Sequence, residues 1–247
     1  MNYREWSRWY DSIREDFGYA EKDDRRTARY LDETLSDRKP SPGRKNISEE
    51  SSSDGKPFSE EPPTDRKPYY EESFPDLEEK EAVVAGNAPC LARDIRVRDI
   101  SGYVVAADGA AVVLIEEDVK PDLVVTDLDG SPGTAAELSR RDVSVVVHAH
   151  GDNEEALERW LPEFDLTNVV GSTQTDPSEY GNLVNFGGFT DGDRGAFLAD
   201  ELGASSIELV GWDFGDPTVS RIKKQKLNWA RRLLRVLSWK RDESILV

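Results

Sequence analysis

The chain has 247 residues, enough for one sizeable hydrophobic core with a smaller appended element. Its 50 acidic residues against 32 basic ones give a formal charge of -18, which argues against nucleic acid as a partner and suits a cytoplasmic protein working at high salt, where screening tames self-repulsion. A single Cys excludes an intrachain disulfide framework and a Cys-rich zinc cage, and no apolar run approaches the roughly 20 residues of a membrane span.

The first residues, MNYREWSRWYDSIREDF, are charged throughout and lack the apolar stretch of a secretion signal. Apolar positions then recur at helical spacing, with Trp6, Trp9 or Tyr10, Ile13 and Phe17 on one face and Ala28, Leu31 and Leu35 later. Residues 1–35 therefore predict a helical pair packed on the main domain. Residues 36–75 are rich in Ser, Pro, Lys and Glu and almost free of aliphatic side chains, so burial there cannot offset ordering entropy; the segment is expected to be a disordered insertion. From 76 to 247 short apolar runs take over: EAVVAG, GYVVAAD, DLVVTDLD, VSVVVHAH, NVVGS and SIELVGWDF. Near-continuous Val, Ile and Leu over a few residues predict strands buried on both faces. EEALERWLPEF and DRGAFLADELG have helical periodicity, the second closing at Gly203, and SRIKKQKLNWARRLLRVLSWKR predicts a closing helix with Leu227, Ala230, Leu234 and Leu237 inward. The expected fold is α/β, an open doubly wound, mainly parallel, Rossmann-like sheet whose ligands bind at the carboxyl ends of the strands.

The polar motifs fall at those ends. In VVTDLDG, Asp127 and Asp129 would point the same way if the strand continued through them, and two adjacent carboxylates repel unless a cation sits between them. Hard oxygens in that arrangement suit Mg²⁺, whose other positions go to water and phosphate; a turn with a capping Asp127 is the plainer reading. In VHAHGDN, His148 and His150 share a strand face and Asp152 follows. The pattern is similar to the opening of a binuclear metallohydrolase site, but Asn153 stands where a third histidine belongs and the chain has no other. An imidazole-based zinc site is therefore disfavoured, and the imidazoles are expected to hydrogen-bond phosphate, substrate or backbone. NFGGFTDGDR is a glycine-rich loop entering a helix. There Gly187, Gly188 and Gly192 allow close backbone approach, Arg194 offers a phosphate donor, and Asp191 and Asp193 could equally cap the helix. VVAGNAPCL has the form of a nucleotide-binding turn at Gly86 and Asn87 without matching either standard glycine motif, and Cys90 is expected to pack as a small apolar group. AADGAA ends a further strand at Asp108 and Gly109.

Taken in order, AADGAA, PDLVVTDLDG, VHAHGDN, NFGGFTDGDR and LVGWDFG resemble the archaeal 6-hydroxymethyl-7,8-dihydropterin pyrophosphokinase family. The first two also resemble the thiamine pyrophosphokinase pattern. The resemblance covers roughly Glu81 to the C-terminus and the N-terminal aromatic helix, and leaves out residues 36–75. One departure is the first turn, where Asn87, Ala88, Pro89, Cys90 and Leu91 replace the family's usual Gly-Pro-Ser-Leu turn.

The resemblance implies Mg²⁺-dependent transfer of pyrophosphate from ATP to a reduced pterin, releasing AMP, as a step toward a folate-like or methanopterin-like cofactor. Under it, Asp127, Asp129 and Asp152 hold the metal, and His148, His150 and Arg194 assist transfer. Gly86, Asn87, Asp108, Gly109, Gly187, Gly188, Lys223 and Lys226 meet ATP. Asn153, Gln174, Asn185, Phe189, Asp191, Asp193 and Asp213 meet the pterin. Phe186, Phe189, Trp212 or Phe214 would supply a slot for a flat heterocycle. Three alternatives stay open: a thiamine pyrophosphokinase, a metal-dependent phosphohydrolase, and a nucleotide-binding protein that has lost catalysis. A homo-oligomer is compatible with the sequence.

Overall fold

Among the described residues seven short strands carry the core: β1 (Glu81–Ala85), β2 (Tyr103–Ala107), β3 (Leu123–Thr126), β4 (Ser144–Ala149), β5 (Val169–Thr173), β6 (Leu183–Val184) and β7 (Ser206–Val210). They belong to a computed structural model that describes residues 1–38, 74–98 and 100–246. Every strand pair is parallel, in the order β6-β5-β4-β3-β2-β1-β7. The expected insertion lies, apart from its ends, outside the described residues.

Among the described residues eight α-helices flank this sheet: α1 (Tyr3–Phe17), α2 (Glu21–Ser36), α3 (Leu91–Val97), α4 (Ala110–Glu116), α5 (Pro132–Ser139), α6 (Glu154–Trp160), α7 (Asp191–Glu201) and α8 (Arg221–Arg241). The strand alternation divides the core in two. Val83, Val104, Val124 and Val145 face a layer that includes Leu91, Leu114, Leu138 and Leu157 of α3 to α6; Val84, Val105, Val125 and Val146 face Phe197 of α7 and Leu233 of α8. Successive crossovers from β1 build outward on one side, and α7 returns along the other so that β7 pairs with β1. Strand order reverses at β1, and such reversals open a crevice at the carboxyl ends of the strands.

The N-terminal helices are not a simple appendage. Trp6, Tyr10 and Ile13 of α1 join the α7–α8 layer, whereas Ala28, Leu31 and Leu35 of α2 join the opposite one. The hairpin thus straddles the sheet, and its connection passes over the strand ends. In α8 the buried residues are Trp229, Ala230, Leu233, Leu234 and Leu237. Leu227, expected inward, is only half-buried and instead borders a pocket, because it lies on the turn of α8 beside the strand ends.

Candidate active site

Two pockets open side by side over the carboxyl ends of the strands. The larger, about 370 Å³, lies at the switch point and is lined by the β1 turn (Gly86 to Pro89), Asp108 and Gly109 after β2, Asp129, the start of α7, Trp212 and Asp213 after β7, and Lys223. The smaller, about 140 Å³, is formed by Asp127, His148, His150, Gly151, Asp152, Gln174 and Phe189 together with Gly18, Tyr19, Ala20, Asp23 and Asp24 of the α1–α2 connection. Asp191 belongs to both, Asp127 and Asp129 stand on opposite sides of their junction, and Lys226 borders the smaller.

The aspartate pair is set by a turn. Strand β3 ends at Thr126, and Leu128 between the two aspartates has φ 69°, in the left-handed region that a Leu side chain disfavours. Of the two readings of this motif, carboxylates in step along one strand and a turn capped by Asp127, the first is corrected and the second holds: β3 stops before the pair, and the Asp129 N–H donates to Asp127 Oδ1 at 3.2 Å. Beneath this turn, Thr126 Oγ1 donates to Asp108 Oδ1 at 2.7 Å, joining the β2 and β3 ends.

Asn153 clasps the neighbouring loop. Its Nδ2 donates to Asp127 O at 2.8 Å and His148 O at 2.7 Å, and its Oδ1 accepts from the His150 N–H at 3.0 Å. Four hydrogen-bonding positions suffice to explain an Asn at this buried place, which a histidine could not fill. His150 Nε2 lies 3.3 Å from Asp127 Oδ2. His148 Nδ1 lies 2.9 Å from Ser172 Oγ, while its Nε2 is buried without a partner.

Charge crowding shapes the titration. Burial pushes the Asp127 carboxyl up, but hydrogen bonds and charge from His150, together with Asp129, hold it well below the usual carboxylate range. Asp129 is pushed up to about 6, first by desolvation and then by the negative charges of Asp127 and Asp108, with Lys226 pulling against them. Burial, followed by Asp127 and Asp108, raises Asp191 well above its ordinary value. Burial, followed by Arg194 and His150, keeps His148 neutral, well below the usual imidazole range.

Among the described residues no three His, Cys, Asp or Glu side chains are gathered closely enough to hold a metal ion by themselves. Asp127, Asp129 and Asp152 are thus not a ready-made cage, and Asp152 is exposed, its N–H donating to His150 Nδ1 at 3.3 Å. The repulsion at Asp129 and Asp191 is nevertheless what a cation at the junction would relieve. A hard divalent ion commonly takes one or two carboxylates and completes its shell with water and substrate phosphate, so the donors fit such an ion.

The other expected residues divide by place. Gly86, Asn87, Asp108, Gly109, Lys223 and Asp213 line the larger pocket. Gln174, Phe189 and Lys226 line the smaller. Asn185, Asp193, Arg194, Gly187 and Gly188 line neither. Asn185 bridges Thr175 O and the Gly187 N–H, and Asp193 accepts from the N–H groups of Phe189 and Thr190, both at 2.7 Å. Arg194 is buried beneath the glycine loop with Nη2 3.4 Å from Phe189 O and Nε unpartnered. Of the aromatic candidates, Phe214 packs on Trp212 at 5.4 Å between ring centroids and Phe186 packs into the α1–α7 layer. Cys90 is half-buried beside Trp212 O.

Sequence reasoning missed Tyr19, Asp23 and Asp24. Asp24 carried a signal: it precedes Ala28, Leu31 and Leu35 at helical spacing, an acidic residue on a face that is otherwise apolar.

A family profile described as "6-hydroxymethylpterin diphosphokinase MptE-like" matches residues 63–218. The chain belongs to this MptE-like family. Three curated proteins, each named 6-hydroxymethyl-7,8-dihydropterin pyrophosphokinase, are similar to it along nearly their whole length. That of Methanothermobacter thermautotrophicus is 37% identical over 252 residues, 95% of this chain and 94% of its own. That of Pyrococcus furiosus is 37% identical over 248 residues, covering 95% and 93%. That of Methanocaldococcus jannaschii is 32% identical over 261 residues, covering 96% of each. Membership makes the MptE-like chain a diphosphokinase. The family match begins at residue 63, within the segment 36–75 that the motif resemblance left out.

Proposed function

We propose that the protein transfers pyrophosphate from ATP to the hydroxymethyl oxygen of 6-hydroxymethyl-7,8-dihydropterin, releasing AMP, in the formation of a folate-like or methanopterin-like cofactor. The observation that carries this reading is the pair of adjoining pockets with Asp127, Asp129 and Asp191 at their junction. Two substrates held on either side of one charged wall can react without either leaving its pocket.

The larger pocket suits the nucleotide. Trp212 offers a flat face, fixed by its Nε1 donating to Val84 O at 3.0 Å, and Lys223 stands at the wall. The smaller suits the pterin, with Tyr19 and Phe189 as aromatic walls and His148, Gln174 and Asp24 as polar lining. Asp127 and Asp129 would hold Mg²⁺, which supplies neutralisation of triphosphate charge when bound. The hydroxymethyl oxygen attacks the β-phosphorus, the new O–P bond forms, the bond to the α-phosphate oxygen breaks to release AMP, and the alcohol's proton passes to His150 Nδ1, which gives up its long 3.3 Å bond from the Asp152 N–H to take it. Asp127, in contact with His150 Nε2, orients the ring and stabilises the imidazolium. Lys223 and Lys226, three residues apart on α8, meet the developing negative charge. Family membership favours the pterin over thiamine and over water as acceptor. The acidic surface supports a cytoplasmic setting at high salt, and among the described residues no helix is long and apolar enough to cross a membrane.

Equilibrium binding tests the division of labour. Trp212→Ala should weaken a non-hydrolysable ATP analogue roughly tenfold and leave pterin affinity unchanged, whereas His148→Ala should do the reverse. Equal effects of both changes on both ligands would defeat the two-pocket assignment.

A further inference from the structure

The smaller pocket contains more polar capacity than the transfer step uses. Gln174 Oε1 and His148 Nε2 are both buried there without a hydrogen-bond partner, on side chains 4% and 2% exposed. Such orphans cost free energy unless a ligand satisfies them. Between the two layers of the fold stands a third buried polar group, Asp24, 3% exposed and contributed by α2. Its Oδ2 accepts from Tyr10 OH at 2.5 Å and its Oδ1 from the Gly151 N–H at 2.8 Å. A carboxylate offers about four acceptor positions, so one on each oxygen is left over, and no Lys or Arg forms an ion pair with it among the described residues.

We infer that Asp24 is a specificity-determining residue whose carboxylate accepts two adjacent N–H donors from the amino-pyrimidinone edge of the heterocycle. The inference rests on the proposed pterin reading and deepens it. That edge presents an exocyclic amino N–H and a ring N–H side by side, at the spacing that matches two carboxylate oxygens. Tyr10 and Gly151 hold the carboxylate from behind, so it meets the ligand already oriented, with little ordering left to occur on binding. Gln174 Oε1 and His148 Nε2 then serve the remaining polar atoms of the ring. The α1–α2 hairpin, which straddles the sheet, is in this account the part of the protein that reads the acceptor.

The test compares 6-hydroxymethyl-7,8-dihydropterin with its analogue in which hydrogen replaces the 2-amino group, using the full chain with ATP and Mg²⁺. The unaltered protein should prefer the pterin roughly 100-fold in kcat/KM, the scale of one charge-assisted hydrogen bond. Asp24→Asn should lose most of that preference, through KM for the pterin and with KM for ATP unchanged. Tyr10→Phe removes a supporting hydrogen bond but leaves the carboxylate, and should keep the preference. Equal use of both acceptors by the unaltered protein, an undiminished preference in Asp24→Asn, or loss of preference in Tyr10→Phe equal to that in Asp24→Asn would overturn the inference while leaving pterin transfer standing. Inactivity of the unaltered protein with the pterin would overturn both.

Discussion

Asp129 holds its proton more tightly in the folded chain than an unfolded carboxyl, whose ordinary value is 3.8, because desolvation and then Asp127 oppose its charge. A carboxyl raised in this way contributes stability that is fully present below about pH 4 and is lost as pH rises through about 6. Asp129→Asn should therefore be more stable than the parent at pH 7, by about 1 kcal/mol once solvent screening of this exposed group is discounted, and equal to it below about pH 4. Thermal melts across that range check it; a gain that persisted unchanged at low pH would point to packing instead of charge. Mg²⁺ should raise the melting temperature of the parent more than that of the variant. Asp127→Asn should lower turnover by roughly two orders of magnitude or more without unfolding the chain, since it removes both one of the two carboxylates proposed to hold Mg²⁺ and the partner of His150. Kinetics together with a melt of the same sample separate the two effects. At this scale the aspartates and histidines were legible in the sequence, because paired acids after an apolar run are rare without a reason. The turn at the pair was legible too, as the plainer of two readings, but its geometry was not: nothing in Asp-Leu-Asp announces a Leu at φ 69°.

Loops at the strand ends do the positioning, and their rigidity comes from close packing. Gly188 has φ 87°, and a Cβ there would lie 2.3 Å from Arg194 Cα at the first turn of α7. Gly188→Ala should destabilise the chain by about 2–3 kcal/mol, combining left-handed strain with displacement of the helix start. Chemical denaturation measures this, and an unaltered midpoint would show that the loop yields. Six of the seven strands were readable as short Val-rich runs, whereas β6 spans only Leu183–Val184 and gives no periodic signal. The helices α3, α4 and α5, of seven, seven and eight residues, are too short for a clear apolar stripe and appeared in the sequence only as spacers. The N-terminal pair was legible as helices from its apolar spacing. Its placement across both faces was not, since a local period says which face is buried and not against what.

Over the whole molecule, a net charge of -18 acts against compaction. Raising KCl from 0.1 to about 2 M shrinks the screening length to near 3 Å or below and should raise the melting temperature by several degrees. A flat response would show that local ion pairs such as Arg241 with Asp200 already balance the field. The same acidity makes the cations Lys223 and Lys226 at the strand ends the local exception that a triphosphate would meet. The fold class and the family-like order of motifs could be read from the chain. The division of the site into two pockets, one walled by the N-terminal hairpin, depends on contacts between residues more than a hundred positions apart, such as Gly151 with Asp24, and could not.

The central claim is pyrophosphate transfer to a reduced pterin, and its most direct test is an assay for AMP in high salt with ATP and Mg²⁺, comparing 6-hydroxymethyl-7,8-dihydropterin, thiamine and no acceptor. AMP that forms only with the pterin, in step with the pyrophosphorylated pterin, is the predicted result. AMP that forms only with thiamine, or equally without any acceptor, would contradict the account.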